Sequence, residues 1–270
     1  MGNVVEDSAG RSWRPGGPAL FSAVLASRLE WDVTLFTSLT IAYDRTLFQD
    51  ITIRSMPSSS VPRFENIHHA GSRRQRLLAR GSVLPKKLTS QAAGLPADVF
   101  LVAPALDEVS ARLQSPAPVS GMALQGALRR VGADAWVEPV PDALAVARGL
   151  LSPDQIAFLS EQDTRAPDEL AVRLAEAGTP VFVTRGPEGA SLYSGCERSD
   201  YAALKEDEVD PTGAGDCFAT AFLLRFAETS QRTEAIRYAL AAGALAVTAP
   251  GVDGVPSRGE IESLLRRSAA

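Results

Sequence analysis

Apolar positions in this chain follow two rhythms. Short continuous apolar runs at 32–39, 98–103, 119–124, 180–184 and 190–193 predict β-strands. Stretches at 19–29, 168–177, 215–227, 232–247 and 258–267 repeat their apolar residues at helical spacing and predict α-helices. Ser257 and Glu260 stand at capping-box spacing and open the last of these. Alternating strands and helices predict an α/β fold with a mostly parallel central sheet, whose right-handed crossovers put helices on both faces. Residues 51–71 break the rhythm. They are rich in Ser, Pro, Arg and His, with short β-like pieces such as Ile51-Thr52-Ile53. They read as an excursion from the sheet, a lid or flap at about 45–75, or else as a plain surface loop. No repeat or low-complexity linker divides the chain, so residues 1–270 are expected to form one domain carrying that excursion.

Composition narrows the picture. The chain has 270 residues, 45% of them apolar, enough for one large core. Its net charge is −5 and no basic stripe dominates, which argues against a nucleic-acid partner. The patch Arg73-Arg74-Gln75-Arg76 is local. Two cysteines, Cys196 and Cys217, make no disulfide framework. Cys217 is either a thiol activated at a helix start or a small packed residue. No signal peptide and no bilayer-length apolar run is evident, so a soluble cytoplasmic protein without a membrane partner is expected.

Several chemistries are excluded. No Gly-Lys-Ser/Thr follows a glycine-rich loop, and no Gly-x-Ser-x-Gly elbow exists. Gly213-Ala214-Gly215 fails the dinucleotide fingerprint because Phe218 stands where its third glycine belongs. The only histidines, His68 and His69, are adjacent and lack a metal-site pattern.

What remains is the run from Val209 to Phe218, with Asp210, Thr212, Gly213, Ala214, Gly215 and Asp216. Its glycines leave backbone N–H groups open where a helix begins, a natural phosphate site. A carboxylate there suits removal of a proton from a hydroxyl that attacks the phosphate. The alternative is a glycine turn with Asp216 as helix N-cap.

This run closely resembles the signature of the ribokinase-like (PfkB) carbohydrate kinases, an Asp-x-x-Gly-Ala-Gly-Asp turn before a helix rich in small residues. Other segments resemble the family in the same order. Gly16-Gly17-Pro18-Ala19 is similar to its glycine pair before the first helix. Residues 181–190 look like its strand-turn-strand beside the nucleotide, and residues 239–251 like the helix and turn that enclose adenine. Gly2-Asn3 with Asp7, Gln125-Gly126 with Arg129, and Val209-Asp210-Pro211-Thr212 are similar to elements of the inositol-kinase-like branch.

The resemblance implies a three-layer ribokinase-like α/β fold with a small or reduced lid. It implies an ATP- and Mg²⁺-dependent kinase for a hydroxyl of a small sugar or cyclitol. Asp216 would be the general base, and the N–H groups of Gly213, Ala214, Gly215 and Asp216 the anion hole. Asp7, Gly16 and Gly17 would hold substrate hydroxyls, although Asp7 also reads as a solvated residue near the terminus. Arg74 and Gln75 would reach substrate from the flap, or form a solvated basic face. Gln125 and Arg129 would bind substrate at a strand end or cap the sheet. Thr184, Arg185, Gly186 and Gly189, with Thr212, would line the nucleotide; the glycines also suit a tight β-turn. Asp210 would help bind a monovalent cation, as in some relatives, or stabilise the turn. Flaps of this kind often pair two copies in the family, so a homodimer is among the expected assemblies.

Two departures stand out. Met1-Gly2-Asn3 falls where the family has completed its first central strand, so either the start is assigned too late or another segment fills the gap. The family's Asn-x-x-Glu element is not recognisable in 151–158, though Asp154, Glu161 and Asp163 lie in or near that region. A non-catalytic binding relative is the alternative these departures suggest.

Overall fold

The computed structural model describes residues 1–9, 12–69 and 72–268, without the side chains of Ala9, His68, His69, Ser72 and Arg73. The readings of both histidines and of Arg73 therefore fall outside the described side chains, and Gly71 at the end of the excursion falls outside the described residues.

The N-terminal half contains β1 (Val5–Ala9), β2 (Ser12–Gly16), α1 (Pro18–Arg28), β3 (Val33–Leu39), β4 (Ile51–Pro57), β5 (Arg63–His69), β6 (Ser72–Ala79) and α2 (Lys86–Gly94). There follow β7 (Val99–Val102), β8 (Val119–Ala123), β9 (Arg129–Val131), β10 (Val137–Pro139), α3 (Ala143–Leu150), β11 (Gln155–Ser160) and α4 (Pro167–Ala175). The C-terminal part holds β12 (Val181–Thr184), β13 (Ala190–Ser194), β14 (Glu197–Tyr201), α5 (Ala214–Thr229), α6 (Arg232–Ala246) and α7 (Arg258–Arg267). The capping box at Ser257 and Glu260 forms as the sequence predicts.

The main sheet has the order β14-β13-β12-β11-β8-β7, parallel from β7 to β12 and antiparallel at β13 and β14. Its central strands are apolar on both faces because both are covered. Phe158 of β11 and Phe182 of β12, paired in register, face α1, α5 and α6. Their neighbours Ala157, Leu159, Val181 and Val183 face the core with α2, α3 and α4. The Phe182 ring lies 5.4 Å from Phe218 and 4.6 Å from Phe222. Those contacts seat α5 on the sheet and fix the position of its N-terminus.

β3 and β4 form a separate parallel pair. Between β3 and β7 runs the segment 1–4. The Gly2 N–H donates to Phe36 O at 3.2 Å, and the Ala103 N–H donates to Met1 O at 2.7 Å. The gap expected in the central layer is thus bridged by these first residues. Asn3 anchors them: its N–H donates to Glu108 Oε1, its Nδ2 to Ser82 O, and its Oδ1 accepts from Ser38 Oγ. Such a network satisfies polar groups that would otherwise be costly to bury.

A four-stranded sheet of order β2-β1-β5-β6 stands over the carboxyl ends of the parallel strands. The excursion therefore divides: β4 joins β3, while β5 and β6 combine with the N-terminal hairpin. Trp136, in the turn of the β9–β10 hairpin, meets that sheet. Leu77 N–H donates to Ala135 O at 2.8 Å, and the Arg74 guanidinium lies 4.0 Å from the Trp136 ring centroid. Neither this hairpin nor α2, α3, β1, β2, β5, β6, β11 and β14 follows from the hydrophobic runs. The hairpin strands are three residues each and polar, too short to carry a period.

Candidate active site

A cavity of about 1490 Å³ opens between the four-stranded sheet, the carboxyl ends of β8, β11 and β12, and the N-terminus of α5. This is where parallel α/β sheets collect ligands.

At its centre is the turn into α5. Gly213 is the N-cap at φ 87°, a left-handed conformation that favours glycine, and a Cβ there would run into the Phe21 ring. Its position leaves no side-chain cap on the helix. Asp216 is the third residue of α5, so the N-cap alternative for Asp216 is not what forms. The Ala214 N–H leans back to Pro211 O at 3.4 Å. At Gly215 a Cβ would meet nothing nearer than Thr184 Oγ1 at 4.0 Å, which leaves the cavity wall open there. Cys217 is fully buried and burial pushes its thiol pKa up, so it is a packed residue and not an activated nucleophile.

On one side of the turn the wall is mainly apolar. Pro187, Leu204, Val209, Leu240, Ala244 and Val247 form it together with Gly186, Gly189 and Gly243, and the charged run Lys205, Glu206, Asp207 and Glu208 borders it. On the other side Asp7, Gln75, Gln125 and Arg129 line the wall among Val5, Phe64 and Ala105, and Asn66 stands behind Asp7 and Gln75. Asn66 Nδ2 donates to Asp7 Oδ1 at 3.1 Å, and Gln75 Nε2 donates to Asn66 Oδ1 at 2.8 Å. Asn66 therefore links two expected site residues across three strands. Sequence reasoning missed it, since a lone Asn in a polar strand carries no signal. Gly16 does not line the cavity; a Cβ there would stand 2.7 Å from Asp7 Oδ2, so its bareness makes room for that carboxylate. Gly17 does line it.

The floor holds a second residue that was not singled out as a site. β11 ends at Ser160, two residues beyond the stretch 151–158 where the Asn-x-x-Glu element was expected. Ser160 N–H donates to Asp163 Oδ2 at 2.7 Å. Asp163 is 6% exposed. Burial raises its pKa, opposed by the nearby Arg129 and by hydrogen bonds from Ser160 N–H and the Gln125 side chain. Gln125 and Arg129 both line the cavity, so they bind Asp163 on one side and face the cavity on the other.

Three expected residues turn elsewhere. The Arg185 guanidinium pairs with Asp168 and donates to Ser191 Oγ at 2.9 Å. Burial opposes the Asp168 charge, yet hydrogen bonds from Tyr193 and Arg185 hold its carboxyl below the usual range. Arg185 thus braces the β12–β13 turn, while Thr184, Gly186 and Gly189 remain in the wall. Arg74 stacks on Trp136 outside the cavity lining. Asp210 accepts from Thr212 N–H at 3.0 Å and from Gly251 N–H at 3.1 Å. It clamps the turn to residues 251–254, whereas Thr212 itself faces the cavity.

Residues 151–258 match the model of the pfkB family carbohydrate kinases. Among curated proteins, ribokinase of Bacillus subtilis is 36% identical over 100 residues, covering 36% of this chain. The match spans about a third of that relative, 34% of its length. The fold over nearly the whole chain is that of the ribokinase family. Arabidopsis thaliana ribokinase complexed with ribose and ATP aligns with a TM-score of 0.68 at 16% identity, covering 98% of this chain and 97% of that one. A pyrophosphate-dependent kinase of the same family, complexed with a pyrophosphate analog and myo-inositol, aligns with a TM-score of 0.74 at 16% identity, covering 97% and 98%. Among the described residues, no helix is long and apolar enough to cross a membrane.

Proposed function

We propose that this chain is an ATP-dependent phosphotransferase acting on a hydroxyl of a small sugar or cyclitol. The observation that carries the reading is one continuous cavity in which Asp216 and the open first turn of α5 stand between an apolar slot and a polar pocket. A phosphoryl group crossing from one to the other must pass the helix N-terminus, where the helix dipole and N–H groups favour its charge.

The donor is the first choice to make. An adenine ring has use for the apolar slot formed by Leu240, Ala244, Val247 and Pro187, whereas pyrophosphate has none. That observation favours ATP, as in the ribose and ATP complex of the Arabidopsis relative. When bound, ATP supplies the phosphoryl group. Among the described residues no cluster of three or more His, Cys, Asp or Glu could hold a metal, so magnesium would arrive on the phosphates with few protein ligands.

In this reading Asp216 accepts the proton of the attacking hydroxyl. Asp7 and Gln75, held by Asn66, orient the acceptor, and Gln125 and Arg129 complete its floor. Thr184, Gly186, Gly189 and Thr212 border the donor. The domain is then a single kinase unit with the four-stranded sheet as its lid.

The test is ADP release from ATP and Mg²⁺ with myo-inositol, ribose, fructose and adenosine as acceptors, with pyrophosphate as a competing donor. Turnover that needs ATP and an acceptor, and is lost in Asp216→Asn, supports the proposal. Turnover with pyrophosphate alone as donor would overturn the donor assignment. ATP binding without turnover on any acceptor would favour a binding protein.

A further inference from the structure

Outside the cavity, a hollow of about 500 Å³ lies at the base of the β9–β10 hairpin, against the N-terminal ends of α3 and α4. Arg130, Arg165 and Arg173 surround it, over a floor that includes Pro139, Leu144 and Leu170. Arg130 is offset by Glu138 at 2.8 Å. Among the described residues, Arg165 and Arg173 pair with no carboxylate. The nearby Asp142 is occupied, its Oδ1 accepting the Ala145 N–H at 2.9 Å. That leaves Glu169 as the carboxylate at the rim not engaged elsewhere. Ala166, the N-cap of α4, also lines the hollow and has no side chain able to cap the helix.

We propose that this hollow is a second anion site, built for a small organic phosphate and separate from the cavity that holds Asp216. Arg165 and Arg173 line the hollow with no carboxylate partner among the described residues, and their planar forks suit a phosphoryl group. The proline and leucine floor provides a surface for an organic body.

The placement also connects the hollow to the main cavity. Successive residues of a strand point to opposite faces. Arg129 lines the main cavity while Arg130 lines the hollow. Asp163, beneath the cavity, is followed two residues later by Arg165. The far end of the same hairpin holds the lid through Ala135 and Trp136. An anion bound at the hairpin base therefore bears on the cavity floor and on the lid together.

The test is a titration of inorganic phosphate at constant ionic strength, followed by backbone amide and tryptophan indole resonances in the full chain. Amides at 143–145, 166, 168 and 169 should shift with one midpoint, and those at 213–216 with another. Arg165→Gln with Arg173→Gln should raise the first midpoint at least tenfold and leave the second within twofold. The single variant Arg173→Gln should lie between and guards against misfolding of the pair. The Trp136 indole should follow the first midpoint. The site is overturned if only 213–216 respond, if sodium chloride gives the same shifts, or if the double variant keeps its midpoint. An unmoved Trp136 overturns the connection to the lid. Because 213–216 report separately, failure here is distinct from failure of the kinase reading.

Discussion

At the residue scale, the site depends on two groups whose roles separate cleanly. Asp216→Asn keeps the size of the side chain and removes the base, so kcat should fall by about 10²–10⁴ with substrate affinity little changed. Steady-state kinetics on the best acceptor check this; lost affinity with kcat intact would contradict the role. Gly213→Ala instead attacks the turn. A methyl at φ 87° against Phe21 should lower stability by about 1–3 kcal/mol, read by urea unfolding. Asp163 adds a pH dependence. Burial raises its folded pKa, so the folded chain holds that proton to higher pH than the unfolded one. Its contribution is complete below the unfolded value of about 3.9 and is lost as pH rises through the folded value. Unfolding from about pH 4 to about pH 8 should show that slope in the native chain and not in Asp163→Asn. The glycines and Asp216 were legible because a turn before a helix is a local pattern. Asp163 was legible only as a carboxylate near the expected element, because the Gln125 hydrogen bond and the Arg129 charge that meet it come from far away in the chain.

At the element scale, the β9–β10 hairpin is the joint between the four-stranded sheet and the core. Trp136→Ala removes the surface under Arg74 and should loosen β6 without touching the main core. The acceptor KM should rise about threefold to tenfold, corresponding to ~0.7–1.4 kcal/mol, with the unfolding midpoint little moved. An equal fall in kcat with unchanged KM would contradict a lid role. The long helices were readable to within about two residues, since each repeats its apolar face several times. Elements of three to five residues offer no such repetition. The lid shows this most clearly: β1 and β2 read as a terminal motif, and β5 and β6 as a polar excursion. Only strand pairing joins them.

At the scale of the whole molecule, the aromatic cluster on α5, β11 and β12 holds the turn at the start of α5 against the sheet. Phe182 is 1% exposed and touches both Phe218 and Phe222. Phe182→Ala should cost about 3–5 kcal/mol, and calorimetry should show the loss across the single main transition. The sequence by itself determined the α/β class, the order of the longer helices, and the glycine turn with its carboxylate that opens α5. These depend on periodicity and on local backbone geometry, which neighbouring residues encode. The tertiary structure decided which side chains share the cavity. It turned Arg185 and Arg74 to other partners, set Asn66 and Asp163 against residues of the cavity wall, and placed residues 1–4 between β3 and β7. Each of these outcomes depends on burial and pairing between segments distant in sequence, where the free energy of a contact belongs to both partners and to neither alone.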